Sequence, residues 1–106
     1  MPGEHPRHRL DPVLHFPPRL SIVACLAQVT EAEFSFVRDT VELTAPALSK
    51  QMTILEEAGY VTVRKGYVGK RPRTWLAVTP AGRRALAAYL DTLHSIVDER
   101  HDANPK

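Results

Sequence analysis

Cysteine is nearly absent from this sequence, in which Cys25 is the single thiol among 106 residues. One thiol excludes a disulfide within the chain, argues against a thiolate metal cluster and fits a reducing compartment. Long apolar runs are also missing, because no segment approaches the roughly 20 apolar residues of a membrane span and the N-terminus has no apolar signal-peptide core. We therefore expect a soluble cytoplasmic protein that has no contact with a membrane.

Sequence motifs of catalysis are missing as well. The chain contains no glycine-rich phosphate loop, no nucleophile elbow and no HExxH pattern. His5 and His8 could contact a metal, but a flexible tail explains them better. We expect no enzyme activity, no cofactor and no metal site. A hydrophobic content of 43%, a charged content of 25% and a net charge of +2 are typical of one small globular domain.

Proline and glycine divide the chain into segments. Residues 1–10 mix proline, glycine, histidine and arginine without periodicity, which predicts a flexible N-terminal tail. Asp11 followed by proline predicts a short helix that ends near Phe16, and two further prolines open a second helix. The inward-facing residues expected on this second helix are Leu20, Val23, Ala24 and Ala27, with Ile22 and Leu26 beside them and Cys25 as a small buried filler. Residues 30–34 predict either a very short strand or an irregular link.

The clearest helix signal lies in residues 44–59. Leu48, Met52 and Leu55 recur at helical spacing and form an apolar stripe. The opposite face is small or polar and carries one charge; it consists of Pro46, Ala47, Ser49, Lys50 and Thr53. Such a face suits a helix that enters a DNA groove, although many surface helices share it.

Both ends of this helix have recognisable signals. Thr44 is a favourable N-cap residue, and Gly59 suits the left-handed conformation that ends many helices. Pro46 fits the first turn but disfavours the α conformation for Ala45. The cap is therefore either Thr44 or Ala45.

A shorter helix is predicted just before this one, in residues 35–43, with Phe36, Val37 and Val41 facing inward. A short helix, a tight turn and a longer helix form the helix-turn-helix arrangement. The second helix of that arrangement reads the major groove of DNA.

After the central helix the period of the apolar pattern changes from 3.6 to 2. Residues 60–65 and 74–79 alternate and favour the two strands of a hairpin. Of Trp75 and Leu76 we expect the larger tryptophan to face the core. Residues 66–73 have the composition of a turn. The hairpin holds five basic residues and no acid between its ends, which favours a DNA-contacting patch over a solvated loop; they are Arg64, Lys65, Lys70, Arg71 and Arg73.

The last predicted helix covers residues 80–98, completes a domain that spans residues 11–98, and leaves residues 99–106 to fray. Its apolar residues recur at spacings of four and three and form a stripe wider than a small domain needs. Core packing alone is the alternative, but we favour a dimer interface formed by Leu86, Tyr89, Leu90, Leu93, Ile96 and Val97.

One long segment, LTAPALSKQMTILEEAGYVTVRKGYVGKRPRTWLAVTPAGRRAL, resembles the winged-helix DNA-binding domains of bacterial transcriptional regulators in the MarR-type and ArsR-type group. The similarity is closest to the small single-domain members. The opening LDPVLHFPPRLSIVACL resembles the first helix of the same group, so the resemblance covers residues 10–97. It implies an α+β fold, mainly helical with a small β-hairpin: a winged helix-turn-helix.

The resemblance also implies roles for individual residues. Ser49 and Lys50 match positions that face the major groove, and Arg71 and Arg73 match wing arginines that approach the minor groove or the phosphates. Lys50 stands where arginine is frequent, which disfavours bidentate reading of guanine. The other residues expected on the same surface of the helix are Thr44, Ala45, Pro46, Ala47 and Thr53.

The function expected from these features is that of a sequence-specific transcriptional regulator that binds double-stranded DNA as a homodimer. Its central helix would enter the major groove and its basic wing would contact the minor groove and phosphates. The alternative is a winged helix retained as a protein-interaction module without specific DNA binding, against which the basic wing argues. A small-molecule effector is compatible with the first function, but no residue identifies one.

Overall fold

Four α-helices and a three-stranded antiparallel sheet form residues 4–98, the part of the chain that this computed structural model describes. The elements are α1 (Pro17–Leu26), β1 (Ala32–Glu33), α2 (Phe34–Thr40), α3 (Ala45–Glu57), β2 (Val61–Val68), β3 (Arg71–Val78) and α4 (Pro80–Val97). Strand β3 lies between β1 and β2. The predicted winged helix-turn-helix fold is confirmed, and the segment that favoured a short strand or a link forms β1. The expected fraying of residues 99–106 lies outside the described residues, as do residues 1–3.

The segment before α1 adopts regular structure where an aperiodic tail was expected. A 3-10 helix spans Pro6–Arg9 and packs against α4. The proline fits the first position of this helix, and the His5 ring accepts a hydrogen bond of 3.0 Å from the Arg7 N–H. Local capping therefore compensates for the missing periodicity.

The helix predicted from Asp11 to Phe16 forms only a single turn. The Asp11 carboxylate accepts the Val13 N–H at 2.8 Å, and the Asp11 carbonyl accepts the His15 N–H at 2.8 Å. Phe16 is then extended, because the residue before a proline is driven out of the α region. The turn still delivers Leu14 to the core, where it is fully buried.

Helix α1 buries a different strip from the one predicted. Ile22, Val23 and Leu26 are fully buried, whereas Leu20 is only partly buried. The helix packs against α2, α3, α4 and β3, so it is enclosed on several sides and one apolar strip does not describe it. Cys25 packs against the core as expected, and burial raises the pKa of its thiol.

Helix α2 begins one residue earlier than predicted, and this shift changes which aromatic residue faces inward. Phe34, Val37 and Val41 contact the core, while Phe36 is 54% exposed. The inward position predicted for Phe36 is therefore wrong. Counting from Phe34, the inward residues follow at spacings of three and four, which is the spacing of one helical face.

Helix α3 begins at the first of the two predicted caps. The Thr44 hydroxyl accepts the Ala47 N–H at 3.2 Å, and Ala45 is the first helical residue. At the other end, Gly59 has φ +81° and donates to the Glu56 carbonyl, while the Tyr60 N–H donates to the Leu55 carbonyl. This pair of bonds is a Schellman motif, which satisfies carbonyls that the helix end leaves unpaired.

The hairpin strands are longer than predicted, because the turn consists of two residues only. Val68 pairs with Arg71, so Gly69 and Lys70 alone connect β2 to β3. Gly69 has φ +64°, as the first central residue of a type II′ turn requires. The basic residues assigned to a turn therefore lie on regular strands, and their side chains alternate between the two faces of the sheet.

The face of the sheet that packs on the helices is the one opposite to the prediction. Leu76 is 1% exposed and pairs across the sheet with Val63, while Trp75 is half-buried on the outer face. The prediction that Trp75 faces the core is therefore wrong. Leu76 belongs instead to the cluster of buried core residues that includes Leu48 and Leu55 of α3.

Candidate nucleic-acid interface

Helix α3 presents its predicted DNA-facing residues to solvent. Its inner face is buried through Leu48, Met52 and Leu55, which leaves the opposite face uncovered. The exposed predicted residues are Thr44, Ala45, Pro46, Ser49, Lys50 and Thr53, and Ala47 is half-buried. These side chains form one surface.

Two of the exposed hydroxyl groups are already used by the helix. Thr44 caps the N-terminus, and the Thr53 hydroxyl donates to the Ser49 carbonyl at 3.1 Å. Within the described residues, the Ser49 and Lys50 side chains have no hydrogen-bond or ion-pair partner. Ser49 and Lys50 therefore keep their full capacity to bind a ligand.

The next residue, Gln51, orients α3 instead of extending its outer surface. Arg19 of α1 donates from Nη1 to Gln51 Oε1 at 2.8 Å and from Nε to the Val13 carbonyl at 2.7 Å. The Arg19 guanidinium also lies 4.6 Å above the centroid of the Phe16 ring. Sequence reasoning missed the hydrogen bond between Arg19 and Gln51 because the two residues are 32 positions apart.

Helix α3 and the inner face of the hairpin enclose an open groove with a volume of about 730 Å³. Three predicted DNA-binding residues share it, since Ser49 and Thr53 line the helical wall and Lys65 lines the wall formed by β2. The other lining residues are Phe34, Met52, Glu56, Val63, Thr74 and Leu76. Glu56 is an acid that the sequence reasoning did not assign to this surface, and it lies one helical turn beyond Thr53.

The outer face of the hairpin carries the remaining arginines of the wing. Arg64 lies beside Trp75, with its guanidinium 4.3 Å from the centroid of the indole ring. Strand alternation places Arg71 and Arg73 on the same face as Trp75. The five basic residues of the wing are close together in sequence but are thus divided between two faces and the turn.

The arginines on the outer face do not all have the same surroundings. Arg64 Nη2 lies 2.7 Å from Glu31 Oε2, and Arg73 Nε lies 3.3 Å from Glu33 Oε1. Within residues 4–98, Lys65, Lys70 and Arg71 have no ion-pair partner. The unpaired positive charge of the wing is therefore concentrated in the groove wall and at the turn.

The family of this chain is shown by comparison with known proteins. A family model described as a winged helix DNA-binding domain matches residues 19–97, which is most of the chain. The chain belongs to the winged-helix DNA-binding family. The resemblance to winged-helix DNA-binding domains is thereby confirmed.

Three similar proteins illustrate these comparisons. An uncharacterised protein of Methanocaldococcus jannaschii is 31% identical over 72 residues, which cover 68% of this chain and 78% of that protein. A transcriptional regulator homologue from Pyrococcus horikoshii is 30% identical with a TM-score of 0.75, over 81% of this chain and 85% of that one. A MarR family transcriptional regulator from Silicibacter pomeroyi shares the fold at 18% identity and a TM-score of 0.62, over 83% of this chain and 59% of that one.

The wing of this winged-helix protein also exposes apolar residues that sequence reasoning missed. Tyr67 is 72% exposed and Val68 is 54% exposed, and both lie directly before the turn. Residues 66–68 were assigned to the turn, so their alternation was not considered. A two-residue turn at Gly69 would have placed Tyr67 on the same face as Lys65.

The residues predicted for a dimer interface on α4 fall into two groups. Leu86 and Leu93 pack partly against the core, and Ile96 is half-buried, whereas Leu90 is 45% and Val97 is 82% exposed. Leu90, Leu93, His94 and Val97 line a shallow hollow of about 210 Å³.

Tyr89 belongs to the core of its own chain. It is 4% exposed, and its hydroxyl lies 2.9 Å from His15 Nδ1. The prediction that Tyr89 contacts a second chain is corrected accordingly, because this side chain is already covered. The predicted apolar stripe of α4 therefore includes residues from two faces of the helix, one buried against its own chain and one exposed.

Two further observations concern residues 4–98. They contain no group of three or more His, Cys, Asp or Glu side chains arranged to hold a metal ion. No helix in this range combines the length and the apolar character needed to cross a membrane.

Proposed function

We propose that this winged-helix protein is a sequence-specific transcriptional regulator that binds double-stranded DNA as a homodimer. Helix α3 enters the major groove, and the basic wing contacts the minor groove and phosphates. The observation that carries the proposal is the shared groove, in which Ser49 and Thr53 of α3 face Lys65 of β2. The Ser49 hydroxyl and the Lys65 ammonium lie in this one concave surface and match the acceptors of base edges and phosphates.

The charge along α3 favours insertion by its N-terminal half. The first turn contains no acid, so the positive end of the helix dipole is uncompensated, and Lys50 follows it. Glu56 and Glu57 lie at the opposite end, where they repel phosphates. Base contacts are therefore assigned to the region of Ser49 and Lys50.

The wing supplies attraction that does not depend on sequence. Lys65, Lys70 and Arg71 are unpaired within the described residues. If each contacts one phosphate, log affinity should fall against log salt with a slope of about 2.7 per subunit. A long arginine at the turn also suits the negative potential of a narrow minor groove.

The test is the binding of labelled duplexes, with DNA flanking the protein's own gene compared with a random duplex. Replacing both Ser49 and Lys50 by alanine should weaken specific binding by about 1–3 kcal/mol for each lost base contact, with little effect on random DNA. Replacing Arg71 by alanine should weaken both duplexes and flatten the salt slope by about 0.9.

A matched control variant loses one hydroxyl group and one positive charge at positions outside the groove. Ser35 of α2 and Arg84 of α4 are both exposed, so the Ser35→Ala, Arg84→Ala double variant should bind like the unmodified protein. Equal affinity of the unmodified protein for flanking and random DNA would contradict sequence-specific binding. Binding to neither duplex at low salt would contradict DNA binding altogether.

A further inference from the structure

Two acidic residues lie against the wing although they precede it by about 30 residues in sequence. Glu31 and Glu33 flank Ala32, the residue of β1 that pairs with Leu76 of β3. Residues two apart in an extended segment point to the same side. Both carboxylates therefore lie along the outer face of β3, beside Trp75.

Each carboxylate is paired with one wing arginine. Glu31 contacts Arg64 at 2.7 Å, and Glu33 contacts Arg73 at 3.3 Å. The four side chains together have no net charge. The outer face of the wing beside Trp75 is thus electrically balanced, whereas Lys65 on the groove wall and Lys70 and Arg71 at the turn stay unpaired within the described residues.

Trp75 holds the first pair in place. Its ring lies beneath the Arg64 guanidinium at 4.3 Å and close to Gly66, where a Cβ atom would lie 3.2 Å from Trp75 Cζ3. The indole therefore lies close to the backbone of β2 at Gly66 and forms a platform for the guanidinium. Arg64 is oriented along the sheet toward Glu31.

We infer that Glu31 and Glu33 are specificity-determining residues that hold Arg64 and Arg73 away from the DNA phosphates. The inference rests on the proposed DNA-binding function. Every additional phosphate contact strengthens binding to all sequences equally, since phosphates carry no sequence information. Neutralising two of the five wing cations from within the chain limits this general attraction and leaves base contacts by α3 a larger share of the affinity.

The experiment compares two double variants on a random-sequence duplex over a range of salt concentrations. Glu31→Gln with Glu33→Gln releases both arginines, and it should steepen the salt slope by up to about 1.8 per subunit, so its affinity advantage should grow about tenfold from about 200 to about 50 mM salt. Glu4→Gln with Glu42→Gln is the control, because it changes the net charge equally at exposed acids outside α3 that have no arginine partner within the described residues. The control should leave the slope almost unchanged.

A second comparison identifies the arginines as the cause. Arg64→Gln with Arg73→Gln should not change the salt slope of the unmodified protein, but it should abolish the extra slope in the Glu31→Gln, Glu33→Gln background. Circular dichroism melting of each variant checks that the wing remains folded.

Two results would overturn the inference: a slope that falls by about 1.8 when the arginines alone are replaced, or equal slopes for the two glutamine double variants. In both cases the unmodified protein binds DNA, so the proposed DNA binding is not contradicted. If the unmodified protein binds no DNA at low salt, the proposed function fails and the inference fails with it.

Discussion

At the scale of single residues, Tyr60 connects the end of α3 to the N-terminal segment. Its hydroxyl donates to the Asp11 carboxylate, and its backbone N–H closes the α3 terminus. The hydrogen bond to Asp11, burial and the negative charge of Asp11 together raise the pKa of Tyr60 to about 12. Asp11 in turn caps the turn that delivers Leu14 to the core. One phenol thereby joins two parts of the chain that are 49 residues apart.

Replacing Tyr60 by phenylalanine removes the hydrogen bond to Asp11 and should cause a pH-dependent loss of unfolding free energy. The folded-state pKa lies above the unfolded value of about 10, so the contribution is complete below about pH 10 and disappears as the pH rises toward 12. Because the hydroxyl is partly exposed, we expect a loss of only about 1 kcal/mol at neutral pH. Urea unfolding at pH 7, 9 and 11 would measure it.

The exposed Tyr67 provides the control for this substitution. Its hydroxyl has no hydrogen-bond partner within the described residues, so Tyr67→Phe should leave the unfolding free energy unchanged at each pH. Unfolding free energies of Tyr60→Phe that match the unmodified protein at pH 7 would show that the bond to Asp11 contributes nothing.

At the scale of elements, α3 could be predicted because its signals are local. Thr44 and Gly59 mark its two ends within one turn of the helix, and the apolar spacing between them identifies its buried face. The ion pairs of the wing could not be predicted, because Glu31 and Arg64 meet only after β1 joins the sheet. Local patterns thus predicted the helix that we propose to face DNA, while the charge of the wing depended on a distant strand.

The hairpin shows a second limit of sequence reasoning. Alternation requires Trp75 and Leu76 to lie on opposite faces, but it does not say which face meets the helices. Its larger size favoured tryptophan for the core, yet on the outer face the Trp75 ring contacts the Arg64 guanidinium and lies close to Gly66. Leu76 fills the narrower space against the core instead.

Alanine substitutions should distinguish Leu76 from Trp75 by the loss of unfolding free energy that each causes. Leu76→Ala removes a side chain that is 1% exposed and should lower the unfolding free energy by about 2–5 kcal/mol. Trp75→Ala removes a half-buried ring and its contact with Arg64, and should cost about 1–2 kcal/mol. Urea unfolding should be followed by circular dichroism, since Trp75 is the single tryptophan. A larger loss for Trp75→Ala than for Leu76→Ala would contradict the observed faces.

At the scale of the whole molecule, α4 has an exposed apolar face that its own chain does not cover. Tyr89 and Thr92 are buried against the chain's own elements, while Leu90 and Val97 remain exposed beside the hollow on the other side. A domain of this size also covers little DNA, and two copies related by a two-fold axis would place their α3 helices in successive major grooves about 34 Å apart. We expect the second copy of the chain to bind at the hollow on α4.

Arginine substitutions on the exposed face of α4 test this expectation without opening the core. Leu90→Arg and Val97→Arg should each shift the protein toward monomer in sedimentation equilibrium at micromolar concentration, because the two-fold axis brings each new charge close to its copy. Melting should change little, since both side chains are largely exposed within the chain. Ala88→Arg is the control: Ala88 is exposed and lies about half a helical turn away from both positions, so its replacement should leave the association constant unchanged. A monomeric unmodified protein, or equal dissociation by all three variants, would exclude the hollow as the interface.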